Sequence, residues 1–180
     1  MAVPIALNFS VNGQTRSVSV ADNTEPLLSV LRNHLDDKSP KFGCGVSQCG
    51  ACTVLIDGVI TRSCVRQIGT VAAGASITTL AGLGSEQGLH PLQEAFVAEQ
   101  AAQCAYCING MIMGSYGWLQ GRLAAGNRAV PSEDEIKQFL AGQAPGQPFV
   151  YICRCGAHTR IIRAIQRGAQ QMIGGHGKKG

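Results

Sequence analysis

The placement of eight cysteines among 180 residues constrains this chain more than any other feature. They fall into two unequal sets. Cys44, Cys49 and Cys52 read C-x4-C-x2-C and are followed by Cys64; Cys104 and Cys107 read C-x2-C and are answered far downstream by Cys153-Arg154-Cys155. Thiols in such clusters are disulfide-bonded, buried free or bound to metal. Buried free thiols explain one or two residues, not eight in clusters. Disulfides belong to oxidising compartments. The opening residues Met1 to Phe9 carry no basic n-region, no long apolar stretch and no twin arginine. The chain is therefore expected in the cytoplasm, where clustered cysteines more often bind metal.

The C-x4-C-x2-C…C spacing is that of a plant-type [2Fe–2S] site and is not a usual zinc spacing. Three of its cysteines share one loop, so little closure entropy is lost in gathering them. Gly43, Gly45 and Gly50 let that loop curl and turn backbone N–H groups toward sulfur, which stabilises negative charge there. In the second set, Cys104 and Cys107 lie between two predicted helices, and Cys153 and Cys155 precede the last one. Helix N-termini favour thiolates, and two pairs at the mouth of a helical bundle make a second site. Its spacing alone also suits zinc. Eight thiolates suffice for two [2Fe–2S] clusters, and a chain with two clusters and no other chemistry is a wire for electrons.

No other chemistry is visible. There is no Walker loop, no G-x-G-x-x-G fingerprint and no Ser–His–Asp arrangement. His34 reads as helix surface, His90 as a helix start, His158 as a capping or packing residue and His176 as tail. Met111, Met113 and Trp118 read as core. The formal charge is +4, and each oxidised four-thiolate [2Fe–2S] site carries about −2, so the loaded protein is near neutral and its basicity does not argue for nucleic acid. No run approaches the roughly 20 apolar residues of a membrane span. Glycine, at 23 residues, suits loops wrapped around inorganic groups.

Val3, Ile5, Leu7, Phe9 and Val11 alternate as in a half-buried strand. Asn12-Gly13 signals a hairpin, and residues 16–20 return. Asn23 to Pro26 predicts a helix start, with Leu27, Leu28, Leu31 and Leu35 on one face. Residues 53–56, the turn Asp57-Gly58 and residues 59–65 predict a second hairpin carrying Cys64, and residues 71–79 a further short strand. Gly82, Gly84 and Gly88 then punctuate a linker. Four helices are expected after it: from His90-Pro91 to about Ala102, from Met111 to about Leu123 capped by Asn109, one opened by a Ser132/Glu135 capping box, and one capped by Thr159 with the stripe Ile161, Ile162, Ile165, Ala169, Met172. The division expected is a β-rich domain over 1–78, a linker over 79–90, a helical domain over 91–173 and a disordered tail over 174–180.

Three stretches together resemble the iron–sulfur subunit of the molybdenum hydroxylases, the xanthine dehydrogenase and aldehyde oxidoreductase superfamily: Phe42 to Val54 around the first cysteines, Gln103 to Met113, and Cys153-Arg-Cys-Gly156. The run from Ile152 to Ile161 leans toward small subunits like those of isoquinoline 1-oxidoreductase and nicotinate dehydrogenase. The resemblance covers roughly residues 3–170. It implies an α+β fold, with an N-terminal ferredoxin-like β-grasp domain followed by a four-helix-bundle [2Fe–2S] domain. It implies a distal cluster on Cys44, Cys49, Cys52 and Cys64, and a proximal cluster on Cys104, Cys107, Cys153 and Cys155. It further implies that Gln103 and Cys155 touch a molybdopterin cofactor bound by a large partner subunit. Electrons from that subunit are expected to pass through the proximal and then the distal cluster to a flavin subunit or a cytochrome c.

The chain departs from the family pattern beside the proximal set. Ala105 stands where glycine is usual, and Ile108-Asn109 stand where Thr-Pro is usual. The stretch between Cys107 and Cys153 is also long, with the excess around residues 121–127 and in Gly142 to Pro148. The latter is expected to be a surface loop that contacts a partner subunit.

Overall fold

The computed structural model describes residues 5–85 and 87–175; Val3 and the expected tail beyond 175 lie outside them. β1 (Ile5–Val11) and β2 (Gln14–Val20) pair antiparallel, from Ile5 opposite Val20 to Val11 opposite Gln14. Their turn residues Asn12 and Gly13 have φ of 54° and 78°, the left-handed pair that a two-residue hairpin loop needs. Asp57 and Gly58, at 49° and 78°, repeat it between β3 (Thr53–Ile56) and β4 (Val59–Arg62). β5 (Ser76–Thr78) completes the sheet from its centre. The strand order is β2-β1-β5-β3-β4, with β5 parallel to β1 and antiparallel to β3. This is the β-grasp arrangement that the resemblance implies.

Two local expectations in the β-rich half need correction. The first helix is not capped by Asn23. Asp22 organises the turn, its carboxylate accepting from the Thr24 N–H at 2.8 Å and the Thr24 hydroxyl at 2.6 Å. α1 (Leu27–Ser29) then widens into a π-helical turn over Val30–His34, which still buries Leu27, Leu28 and Leu31 and half-buries Leu35. β4 ends at Arg62, so Cys64 sits in the turn beyond the hairpin.

The helices are α2 (Pro91–Ala98), α3 (Ile108–Ala124), α4 (Glu133–Leu140) and α5 (His158–Gly175). His90 caps α2: its Nδ1 accepts from the Leu92 N–H at 3.2 Å while Gln93 accepts from the His90 N–H at 2.9 Å. That helix stops short of Ala102 because Gln100 turns left-handed, at φ 47°. The Ser132/Glu135 capping box is formed as expected, and Glu135 also pairs with Arg122 at 2.8 Å. α5 starts one residue before the expected Thr159 cap and runs through Gly174, expected as tail; its stripe Ile161, Ile162, Ile165, Ala169, Met172 is buried. Met111, Met113 and Trp118 are core.

The sheet has a core on each face, because neighbouring strand residues point to opposite sides. Val54 joins Phe9, Val20, Leu31 and Ile77 beneath α1. The next residue, Leu55, joins Ile60, Trp118, Phe139 and Ile165 in the helical core. The helices therefore pack directly on the sheet. α3 makes that approach with Gly110, Gly114 and Gly117, which share one helix face. A Cβ there would lie 2.1 Å from the Gly50 carbonyl oxygen, 2.2 Å from the Tyr151 hydroxyl and 2.6 Å from Ile60 Cγ1, respectively. The expected linker is anchored as well. Thr79 is buried, exchanges hydrogen bonds of 2.9 Å with the Asn12 side chain and donates to Asp37 at 2.6 Å.

The glycine face gives a matched pair of variants. Gly114→Ala has no room for its methyl group and is expected to destabilise the protein by about 1–3 kcal/mol. Gly121, on the same helix, faces open space, so Gly121→Ala is expected to be neutral or stabilising by about 0.5–1 kcal/mol. Thermal unfolding of the two variants checks this; equal midpoints would contradict the close approach.

Candidate metal centres

The first cysteine loop has no regular structure, and its Lys41 N–H donates to the Ala51 carbonyl at 3.0 Å. Left-handed backbone at Gly45, Ser47 and Gly50 (φ 72°, 66° and 83°) curls it inward. Three N–H groups then converge on one sulfur: Cys44 Sγ accepts from Val46 at 3.5 Å, Gln48 at 3.2 Å and Cys49 at 3.3 Å. Cys49 Sγ accepts in turn from the Cys44 N–H at 3.3 Å. Slight burial works against ionisation of Cys44, but the N–H donors of Val46, Cys49 and Gln48 outweigh it and bring the thiol down to about 7. Gly43 closes the cradle, since a Cβ there would stand 2.5 Å from Cys49 Sγ. Cys52 and Cys64 are buried together against Leu28. Burial foremost, then the neighbouring Cys64, pushes Cys52 up to about 12.

The second set is assembled from the turn before α3 and the strap before α5. Cys107 occupies the cap position of α3. Ala105 adopts φ 61°, which explains why glycine is usual there: an L side chain in that region costs about 1–2 kcal/mol. Cys104 and Cys155 are exposed, Cys107 is half-buried and Cys153 is buried. Cys155 stands near enough to Cys104, and Cys153 to Cys107, to influence its ionisation. The Tyr106 N–H, then Cys155, holds the Cys104 thiol below its ordinary value. Burial, then Cys153, pushes Cys107 up to about 12. Gln103 is exposed beside them.

All eight cysteines are free thiols. Among the described residues, no three His, Cys, Asp or Glu side chains converge as a single tetrahedral zinc requires. Within each set the thiols stand near enough to act on one another's ionisation: Cys44 and Cys49, Cys52 and Cys64, and Cys107 with both Cys153 and Cys104. Four thiols per set is the donor set of a binuclear four-thiolate cluster. Buried thiols with raised pKa values ionise once a metal binds them, and the N–H cradle favours the resulting negative charge. The residues present fit the group.

Four contacts tie the two sets together. The Tyr106 hydroxyl donates to the Phe42 carbonyl. The Ile152 N–H donates to the Cys49 carbonyl at 3.0 Å. Asn109 Nδ2 donates to the Ala51 and Thr53 carbonyls at 2.9 and 3.0 Å. Arg62 donates to the Val150 carbonyl at 2.7 Å. Asn109 was expected to cap α3. The helix instead starts at Ile108, leaving the amide inside the first turn and free to reach the first loop. Its departure from the usual proline was the available signal, because proline has no side-chain donor. Tyr106 and Arg62 were missed; only their places beside Cys107 and Cys64 hinted at them.

Residues 9–75 match the 2Fe-2S iron-sulfur cluster binding domain, and residues 79–166 match a second [2Fe-2S] binding domain. The fold and sites thus define a protein built around two iron–sulfur clusters. The chain is similar to one of the nicotinate dehydrogenase subunits of Pseudomonas putida, at 48% identity over 91% of this chain and 94% of that one. It is similar to the alpha chain of isoquinoline 1-oxidoreductase from Brevundimonas diminuta, at 40% identity over 92% and 98%. Its structure superposes on quinoline 2-oxidoreductase from Pseudomonas putida 86 with a TM-score of 0.81 and 31% identity, over 97% of this chain and 98% of that one. The chain belongs to the family of small iron–sulfur subunits of the molybdenum hydroxylases, whose role is electron transfer within an oxidoreductase complex.

Asn109→Ala should be costly, since each buried carbonyl left without its donor is worth about 1–3 kcal/mol. Thermal unfolding is expected to shift down by that amount; an unchanged midpoint would show that the clasp contributes nothing.

Proposed function

We propose that Cys44, Cys49, Cys52 and Cys64 hold one [2Fe–2S] cluster and that Cys104, Cys107, Cys153 and Cys155 hold the other. Bound there, each cluster supplies one-electron redox chemistry. The observation that carries this assignment is that each of the two [2Fe–2S] domain matches, over residues 9–75 and 79–166, encloses one set of four thiols. The chain's own residues fix the sulfurs, shield the inner pair of each set from water and leave one edge of each set open. At the first set the open edge is Cys44, flanked by exposed Phe42 and Val46. At the second it is Cys104, Cys155 and Gln103, flanked by exposed Tyr106 and Ile152.

In this reading, Gln103 and Cys155 meet the molybdopterin cofactor of a large partner subunit, while the Cys44 edge meets the acceptor, a flavin subunit or a cytochrome c. Electrons enter at the second set and leave at the first. The functional division follows the expected one: residues 1–78 serve the distal site, 79–90 connect and 91–173 serve the proximal site. Among the described residues no helix is long and apolar enough to cross a membrane, and cytoplasmic residence is part of the proposal. Gly142 to Pro148 forms a small hairpin, with Ala141 bridged to Val150 and Ala144 to Gln147. Its exposed rim is assigned to contact with a partner subunit.

Metal analysis of the complex should find four irons and four sulfides per copy of this chain, and the reduced protein should give two distinguishable paramagnetic resonance signals. Cys49→Ser should remove one signal and Cys104→Ser the other. Zinc without sulfide, or loss of both signals from either change, would refute the assignment. Replacing Gln143 and Pro145 by glycine is expected to lower recovery of the large subunit with this chain; full recovery and turnover would remove the partner role from that hairpin.

A further inference from the structure

A buried cation stands at the join between the two cysteine sets, with no carboxylate among the described residues to balance it. Arg62 is 2% exposed. Its guanidinium donates to the Val150 carbonyl at 2.7 Å, to the Thr53 hydroxyl and, at 3.4 Å, to the Gly50 carbonyl. It lies over the rings of Tyr151 and Phe149, at 4.4 and 4.7 Å from their centroids. Its Nε has no acceptor, and no Asp or Glu pairs with it among the described residues. Carbonyls, a hydroxyl and ring faces orient a guanidinium and partly solvate it, but they do not cancel its charge. Arginine cannot shed its proton to escape the penalty, and a buried charge without an anion is strongly destabilising.

The missing anion is found in where Arg62 points. Gly50 lies between Cys49 and Cys52 in the first loop. Val150 lies on the strap that leads to Cys153. Arg62 is itself separated from Cys64 by Ser63 alone. The guanidinium is thus held from both sides, by Gly50 and Thr53, which adjoin Cys49 and Cys52, and by Phe149, Val150 and Tyr151, which stand two or more residues before Cys153. A fixed positive charge inside the protein is little screened by salt and acts through a lower effective dielectric than water.

We propose that Arg62 is the internal counter-cation of the site formed by Cys44, Cys49, Cys52 and Cys64, and that its charge makes that site easier to reduce. The inference rests on the cluster assignment above. Reduction there adds one electron and one unit of negative charge beside the guanidinium, breaks no bond and moves no proton. The electron comes from the substrate that the large subunit oxidises, and it leaves to the acceptor. Arg62 touches no substrate; it sets the redox poise of its neighbours through charge. The second set should be less affected, because Arg62 is two residues from Cys64 and binds the neighbours of Cys49 and Cys52, whereas its strap contacts stop short of Cys153.

The test is a potentiometric titration of the intact complex followed by paramagnetic resonance, with the parent, Arg62→Gln and Arg62→Lys side by side and iron and sulfide counted in each. In Arg62→Gln, the reduced-to-oxidised ratio of the signal lost in Cys49→Ser should fall about tenfold at fixed potential, which is 59 mV for a one-electron couple. The other signal should move less. Arg62→Lys keeps the charge and should stay near the parent. Loading of Arg62→Lys at the parental potential while Arg62→Gln fails to load would also support the need for charge. A loaded Arg62→Gln with unshifted signals would overturn the proposal. So would equal shifts in both variants, or failure of both to load, since either result makes Arg62 a strut. A parent without four irons and four sulfides would instead refute the cluster assignment beneath it.

Discussion

The backbone contact between Gly110 of α3 and Gly50 of the first cysteine loop is the constraint on which the rest of the structure depends. A single methyl group at residue 110 would collide with the Gly50 carbonyl. Because the helix can come this close, Asn109 reaches the Ala51 and Thr53 carbonyls, Tyr106 reaches Phe42, and the strap at Val150 and Ile152 lies against Cys49 and Arg62. Each of these bonds joins a residue next to one cysteine set to a residue next to the other. Two halves that each provide four thiols are thereby fixed as one object, which a relay for electrons needs, since its rate depends on the separation of its stations.

Burial then differentiates the thiols within each set. The inner members are buried, or half-buried in the case of Cys107, and burial makes the thiols of Cys52 and Cys107 resist ionisation. The outer members, Cys44, Cys104 and Cys155, lie at the surface. Backbone N–H groups supply a positive field around Cys44. The interior aromatic run from Trp118 to Phe139 (4.6 Å, stacked) and on to Tyr151 (5.2 Å) ends against Arg62, so the helical core buttresses the same join.

Much of this was legible in the sequence, for physical reasons that are local. The Asn12-Gly13 and Asp57-Gly58 turns, the Ser132/Glu135 capping box and the apolar stripe of α5 depend on residues within a turn or two of each other, and they appear as read. Cysteine spacing revealed which thiols share a loop. What escaped was non-local. Asn109 has the composition of a helix cap, and only the arrival of the first loop makes it a clasp. Arg62 sits in a strand next to a turn, where an arginine is ordinarily solvated, and nothing nearby in sequence announces the carbonyls and rings that bury it. No side chain caps the first helix: Asp22 instead binds the Thr24 N–H and hydroxyl in the turn before it, and Pro26 takes the cap position. The left-handed backbone at Ala105 is the reverse case: a departure seen in sequence whose meaning required the dihedral angle.

The central claim is that the join holds two iron–sulfur sites as one rigid relay. The most direct measurement is the low-temperature paramagnetic resonance spectrum of the fully reduced complex. Two clusters fixed close together should interact magnetically, splitting both signals, with the splitting abolished when Cys49→Ser removes one partner. A fully reduced spectrum that is the plain sum of two unsplit signals, unchanged in shape when one is removed, would contradict the account.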